Sequence, residues 1–264
     1  MKFLLVVLLM GCGSSVFAQR GELTPYNDIY KYEILTNDRV LPHADSLKAL
    51  IVVFKDQPLE NVERSITNNP QLREIMIYNP PVSFISWLGG LKLANLTHLL
   101  IYDFEGRELT LPPFPTIEFL QIESGKISTL SMEKASLANL DILSIDCPEL
   151  VNWQTEKVFP KLGLIDLNAP KLTYFPIESI PVIVQFAFYC SLDQLPLNLC
   201  SYKELMFISF TNYKPVKIDA CFKKMVKKGG YSDITIYDKI DGKVIKTVLS
   251  KDHNEIQEVP PVEL

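Results

Sequence analysis

The stretch Leu140-Asp141-Ile142-Leu143-Ser144-Ile145 carries the spacing that organises this 264-residue chain. Its apolar residues follow the pattern Leu-x-x-Leu-x-Ile, and Leu150 follows five residues after Ile145. Because successive side chains of a strand point to opposite faces, Leu143 and Ile145 lie on the same face. The stretch therefore predicts a short strand with one apolar side.

The same pattern occurs nine times, with start-to-start spacings of 21 to 26 residues. We number the three apolar residues of each repeat as positions 1, 4 and 6. A unit of this size cannot bury its apolar side alone, so neighbouring units must stack and share one core. This predicts a parallel sheet in which each repeat contributes one strand. The nine matches are Leu47/Leu50/Val52, Leu72/Ile75/Ile77, Leu96/Leu99/Ile101, Ile117/Leu120/Ile122, Leu140/Leu143/Ile145, Leu162/Ile165/Leu167, Ile183/Phe186/Phe188, Leu205/Ile208/Phe210 and Tyr231/Ile234/Ile236.

Residues 47–238 resemble the leucine-rich repeat family, and some return limbs carry the Leu-Pro element of its bacterial and plant members, as in Leu111-Pro112. The resemblance implies an α/β solenoid, a curved stack with a concave parallel sheet, irregular or short-helical convex limbs and a cap at each end. The chain departs from the family at position 9, which usually holds Asn or Cys. That column contains no Asn and often Pro, so the turn must satisfy its backbone groups differently.

The segments between the strands do not repeat as regularly. The spacing of Leu59, Val62 and Ile66 predicts a helix in the first return limb, and Phe84 and Leu88 predict one in the next. The proline-rich limb 109–115 is expected to be extended. The convex side should therefore change from helical to extended along the stack.

The N-terminus has the features of a secretory signal peptide. Met1-Lys2 precedes an apolar run over residues 3–10, which is too short to span a membrane. Two exits compete. Cleavage after Ala18 fits the small residues before Gln19, and a lipobox-like sequence ending at Cys12 would give a signal to residue 11 and a lipidated Cys12. Cleavage at either site predicts an exported protein, in the periplasm, on the outer surface or secreted. Lipid on Cys12 would be its only membrane attachment.

Two caps are expected at the ends of the stack. Residues 19–46 precede the first repeat, and Tyr26, Ile29, Tyr30 and Ile34 follow roughly helical spacing. Residues 239–264 follow the last repeat and begin with alternating runs on either side of Asp241-Gly242, which is a strong hairpin signal. Lys243 and Lys246 would protect the exposed edge, and residues 251–264 are expected to form a loose tail.

Composition and motifs exclude several functions. The net charge of −5 lacks the excess of basic residues that a general nucleic-acid binder needs. No zinc-protease, nucleophile-elbow or phosphate-loop motif occurs, and His98 is the only histidine in the repeats, at position 3 and expected in solvent. The chain is therefore expected to have no catalytic residue, cofactor or metal.

The cysteines permit one disulfide between neighbouring repeats. Cys200 and Cys221 are 21 residues apart, close to one repeat, and adjacent coils lie within disulfide range. The sequence nevertheless favours two free buried thiols, and the disulfide is the alternative. Cys147 and Cys190 occupy the same position of their repeats but lie two coils apart, which is too far for a disulfide bond.

The side chains at positions 5 and 7 face away from the core and form the candidate binding surface. Its centre is acidic, with Glu123, Asp146 and Asp166, and tyrosines flank it on both sides. Tyrosine is a common anchor in recognition surfaces, and acidic groups favour a basic or hydroxyl-rich partner. The predicted binding residues are Tyr78, Tyr102, Gln121, Glu123, Ser144, Asp146, Asp166, Asn168, Tyr189 and Tyr237.

Three functions fit this surface. The first is non-enzymatic binding of a protein or peptide in the cell envelope or outside the cell. The second is a carbohydrate-binding accessory protein or an envelope hydrolase that uses the acidic residues. The third is a structural spacer, in which the face binds nothing. The sequence favours the first and does not identify the ligand.

Overall fold

The computed structural model describes residues 32–35, 40–44, 47–54, 59–156, 158–177, 185–195, 207–216, 218–228, 231–240, 243–250 and 254–259. Its main feature is a mostly parallel sheet of twelve strands, accompanied by few helices. The strands of this sheet, in spatial order, are β1 (Tyr32–Leu35), β2 (Ala49–Val53), β3 (Glu74–Tyr78), β4 (His98–Tyr102), β6 (Phe119–Glu123), β8 (Ile142–Asp146), β10 (Leu164–Ala169), β11 (Gln185–Cys190), β12 (Phe207–Asn212), β13 (Tyr231–Ile240), β14 (Lys243–Ser250) and β15 (Asn254–Val259).

The register of the parallel strands follows the repeat pattern. From β2 to β12 each position-4 residue pairs with the position-4 residue of the next strand. Leu143 in β8, for example, pairs with Leu120 in β6 and with Ile165 in β10. The parallel sheet predicted from the repeats is confirmed for these eight strands.

The ninth repeat pairs two residues away from its predicted register. Ile234 in β13 pairs with Phe210, and Thr235 pairs with Thr211. Position 6 is therefore Ile234 rather than Ile236, and position 7 is Thr235 rather than Tyr237. A slip of two residues keeps every side chain on its own face, so alternating apolar residues alone cannot distinguish the two registers.

Both ends of the sheet carry additional strands. β1 pairs in parallel with β2, so Ile34 belongs to a strand and not to a helix. β13 and β14 pair in antiparallel orientation, as predicted for the hairpin, with Ile240 opposite Lys243. β15 then pairs with β14, which corrects two expectations: residues 254–259 are not a loose tail, and the strand with Lys243 and Lys246 is not the edge.

The return limbs cover the opposite side of the sheet. Helices α1 (Leu59–Thr67) and α2 (Val82–Gly90) lie in the first two limbs, as predicted. The next three limbs form a second parallel sheet of β5 (Glu108–Thr110), β7 (Thr129–Met132) and β9 (Asn152–Thr155). Helix α3 (Ala220–Lys228) follows β12. No described helix is long and apolar enough to cross a membrane.

The core fills the space between the main sheet and the return limbs. Leu143 from β8, Val62 from α1 and Leu130 from β7 are among its fully buried members. Towards the C-terminal end the core becomes aromatic, and the rings of Phe186 and Phe188 stack with centroids 3.7 Å apart. One apolar core therefore extends along the described repeats, with both types of return limb packed on it.

The turns after the strands use position 8 instead of position 9. Ser124 Oγ donates to the carbonyl of Phe104 at 2.9 Å, and Asn212 Nδ2 donates to the carbonyl of Leu192 at 3.2 Å. Asn79 and Asp103, at the same position, have positive φ angles of 54° and 52°. Asn and Asp tolerate this conformation best among residues with a Cβ. Side-chain hydrogen bonds and positive φ angles at position 8 therefore take the place of an Asn at position 9.

Candidate functional site

The side of the main sheet that carries positions 3, 5 and 7 faces away from the core, and we call it the outer face. The register aligns its position-7 residues in one row across neighbouring strands. Tyr78 pairs with Tyr102, Tyr102 with Glu123, Glu123 with Asp146, and Asp146 with Asn168. Parallel strands lie about 4.8 Å apart, so this row is contiguous. Gln121, Ser144 and Asp166 form the neighbouring row at position 5.

An apolar group occupies the outer face from β3 to β8, and we call it the aromatic platform. Tyr78 and Tyr102 stack with ring centroids 4.8 Å apart and an interplanar angle of 14°. Leu100, Tyr102 and Phe119 are nearly buried, and Met76, Tyr78 and Ile142 pack against them. A water-facing sheet surface is usually polar. This part of the face is therefore exceptional in composition.

The platform includes position 3, which the sequence reasoning did not assign to the site. Phe119 lies there, and His98 stacks on it with centroids 5.7 Å apart. His98 is half-buried, and burial lowers its pKa, so the expectation of an ordinary solvated histidine is wrong. Extending the alternation two residues back from position 5 would have indicated that Phe119 shares this face.

An acidic group lies beside the platform on β6, β8 and β10, formed by Glu123, Asp146 and Asp166. Asn168 Nδ2 donates a hydrogen bond of 2.9 Å to Asp146 Oδ1. All three carboxyl groups are half-buried. The structure thus brings together the acidic residues that the sequence placed at the centre of the face.

Burial raises the pKa of each carboxyl in the acidic group. It raises the pKa of Asp166 to about 6, and the nearby Asp146 carboxylate adds to the effect. It also raises the pKa of Glu123, with contributions from Asp146 and Asp103. For Asp146 the hydrogen bond from Asn168 opposes the effect of burial. Among the described residues no cation contributes to any of these shifts, so burial and the neighbouring carboxylates determine their upward direction.

The remaining predicted tyrosines lie towards the C-terminal end. Tyr189 in β11 is half-buried and pairs with Asn168 in β10. Tyr237 is two residues beyond position 7 and stacks on Tyr213 with centroids 5.6 Å apart. Tyr213 was not among the predicted residues. The predicted site is therefore continuous from Tyr78 to Tyr189, whereas Tyr237 belongs to a separate pair.

The structure agrees with the prediction for Cys147 and Cys190 and contradicts the favoured interpretation of Cys221 as a free thiol. Cys147 and Cys190 are free and buried, and Cys221 is disulfide-bonded. Burial raises the pKa of the Cys147 thiol to about 12, so neither metal binding nor nucleophilic chemistry is expected of it. Cys200 and Cys12 lie outside the described residues. The Cys200–Cys221 bond and the lipidation of Cys12 stay predictions.

The described residues contain no group of three or more His, Cys, Asp or Glu side chains arranged to hold a metal ion.

Comparisons of the chain with protein-family models, with curated proteins and with solved structures found no match in any of the three. The class of the protein therefore has to come from its own repeats and from the outer face.

The acidic group should make stability depend on pH. Between about pH 4 and pH 6 folded Asp166 keeps a proton that the unfolded chain has lost, so the free energy of unfolding falls as pH rises through this range. We expect a fall of about 1 to 2 kcal/mol, because water screens part of the shift. Asp166→Asn should reduce the fall, as measured by urea unfolding at several pH values.

The matched control is Asp141→Asn, which removes an exposed carboxyl next to β8. It should leave the pH dependence unchanged. A pH profile that is equally steep in Asp166→Asn and in the unmodified protein would contradict the assigned role of Asp166.

Proposed function

We propose that the chain is an exported leucine-rich-repeat protein that binds a protein or peptide through its outer face and is not an enzyme. Nine apolar triads, eight of which have positions 4 and 6 in matching strand register, support the repeat class. In this class the outer face corresponds to the concave side of a curved solenoid. The apolar start of the sequence supports export.

One observation carries the binding function: the aromatic platform and the acidic group adjoin each other on one sheet face. The half-buried side chains of the platform leave apolar area in contact with water, which costs free energy, and negative charges held close together repel each other. A partner that covers the platform and neutralises the carboxylates removes both costs. Buried aromatic anchors beside complementary charge are typical of the strongest contacts in protein interfaces.

Mutation of Tyr78 tests this function. Tyr78 is half-buried and contributes one ring of the stacked pair, so Tyr78→Ala should reduce recovery of a bound partner at least about tenfold. The measurement is a pull-down from envelope fractions and culture supernatant of the source organism, with the recovered proteins quantified by mass spectrometry.

The matched control is Tyr174→Ala, because Tyr174 is 65% exposed and lies on a return limb. It should leave the recovery of every protein unchanged. Equal recovery by Tyr78→Ala and by the unmodified protein, both with the same melting temperature, would favour the structural-spacer function instead.

The raised pKa of Asp166 favours one alternative, an envelope hydrolase or a carbohydrate-binding accessory protein. A carboxyl with a pKa of about 6 can donate or accept a proton near neutral pH. Glycoside hydrolysis would pair it with a second carboxylate such as Asp146. Hydrolysis of an envelope polysaccharide that Asp166→Asn abolishes would establish this alternative.

A further inference from the structure

The aromatic platform is a structural unit separate from the core. Among the described residues it is built only from side chains of β3, β4, β6 and β8, with none from the helices or from the second sheet. Leu100 is 3% exposed and Phe119 is 9% exposed, and the two belong to one packed cluster on this face. Met76, Tyr78 and Ile142 are half-buried and present their apolar surface outward. The platform therefore offers an apolar contact area on the face opposite the core.

The charge beside the platform decides what can cover it. Glu123 is in register with Tyr102 on one side and with Asp146 on the other, so the apolar and acidic groups meet at β6. A neutral apolar partner would cover the platform but would leave the carboxylates unpaired and partly desolvated, which is unfavourable. A partner with a cation next to its apolar side chain complements both groups. A metal ion would satisfy the carboxylates and leave the platform uncovered.

We propose that the outer face binds an extended segment of a partner protein in which an apolar or aromatic residue is followed about four residues away by Arg or Lys. This inference rests on the proposed binding function and adds the chemistry of the ligand. The segment crosses the strands, with its apolar side chain on Tyr78 and Met76 and its cation beside Glu123 and Asp146.

The spacing follows from the sheet geometry. Tyr78 in β3 and Asp146 in β8 are three strand steps apart, or about 14 Å at about 4.8 Å per step. An extended chain advances about 3.3 Å per residue, so about four residues cover this distance. Side chains four residues apart in an extended segment point to the same side. Both anchors can therefore contact the face at once, whereas a spacing of three would turn one of them away.

The test uses blocked synthetic peptides with one phenylalanine and one arginine in a glycine-serine background, titrated into the full chain and followed by two-dimensional NMR. The peptide with the two residues four apart should bind. Replacing its arginine with glutamate, or changing the spacing to three, should weaken binding at least about tenfold. Glu123→Gln should weaken binding of the arginine peptide by a similar factor, and Asp146→Asn provides a second variant in case the first fails to fold.

The matched control is Glu108→Gln, which removes one exposed carboxyl from β5 in the second sheet and should not change the affinity. Equal binding of the arginine and glutamate peptides, an equal effect of Glu108→Gln, or no binding of the arginine peptide up to about 5 mM would each overturn the inference. In these cases a partner that is recovered by the unmodified protein and lost in Tyr78→Ala still supports the proposed function. If the peptides bind as expected but the pull-down recovers no partner, the result supports the proposed ligand chemistry and does not support the proposed function.

Discussion

Replacing Leu143 with alanine is expected to lower the free energy of unfolding by about 2 to 5 kcal/mol. Leu143 is fully buried, and it is in register with Leu120 and Ile165, which are buried to the same degree. The substitution removes apolar contacts and leaves a cavity between two neighbouring core residues, and the sheet cannot collapse around it without disturbing the register. Urea unfolding followed by circular dichroism measures the change.

Ile142→Ala provides the matched control for Leu143, since it removes a side chain of similar size from the adjacent position of the same strand. Ile142 is half-buried on the outer face. Its loss should cost only about 1 kcal/mol, in proportion to the apolar area that it buries. Equal destabilisation by the two substitutions would contradict the assignment of inner and outer faces on β8.

Replacing Asn212 with alanine is expected to cost about 2 to 4 kcal/mol. The Asn212 side chain is 1% exposed, and its Oδ1 accepts a hydrogen bond of 2.7 Å from the backbone N–H of Leu192. Its Nδ2 donates to the carbonyls of Leu192 and Lys214. Alanine would leave the buried N–H and carbonyl of Leu192 without their partner, and each unsatisfied group costs about 1 to 3 kcal/mol. Thermal and urea unfolding measure the loss.

Asn95→Ala is the control for Asn212. Asn95 is exposed and donates one long hydrogen bond of 3.5 Å to the carbonyl of Pro70. Its replacement should change stability by less than about 0.5 kcal/mol. A similar small effect for Asn212→Ala would mean that the turns do not depend on position 8.

The strands and their inner faces could be predicted because the apolar spacing repeats with the period of the chain. Leu143 and Ile145 recur in equivalent form in every repeat, so each strand supports the interpretation of the next. The hairpin was predictable for a different reason, since Asp241-Gly242 between alternating runs is a local signal that needs no tertiary context.

Other features depend on pairing between segments that are distant in sequence. The second sheet unites short limbs such as Thr129–Met132, whose strand character comes from their neighbours on either side. Residues 254–259 are mostly polar and form a strand because β14 offers them an edge. The two-residue slip of β13 is likewise settled by its neighbours, because either register keeps the apolar side chains inward.

The acidic half of the site could be predicted from the sequence, and the apolar half only in part. Glu123, Asp146 and Asp166 occupy positions 5 and 7 of successive strands, where alternation alone assigns them to the outer face. Phe119 lies at position 3 and resembles a core residue by composition. Phe119 belongs to the platform because it stacks on His98 and packs in one cluster with Leu100, and both of these residues lie on the neighbouring strand β4.

Binding of a partner to the outer face is tested most directly by site-specific photo-crosslinking. A photo-reactive amino acid replaces Ser144 on β8 in one variant and Ser131 on β7 in another, two half-buried serines in the middle of strands of the two sheets. Irradiation in the source organism should link a partner to the Ser144 variant and none to the Ser131 variant. Crosslinks of equal yield from both variants, or from the Ser131 variant alone, would contradict binding at the outer face.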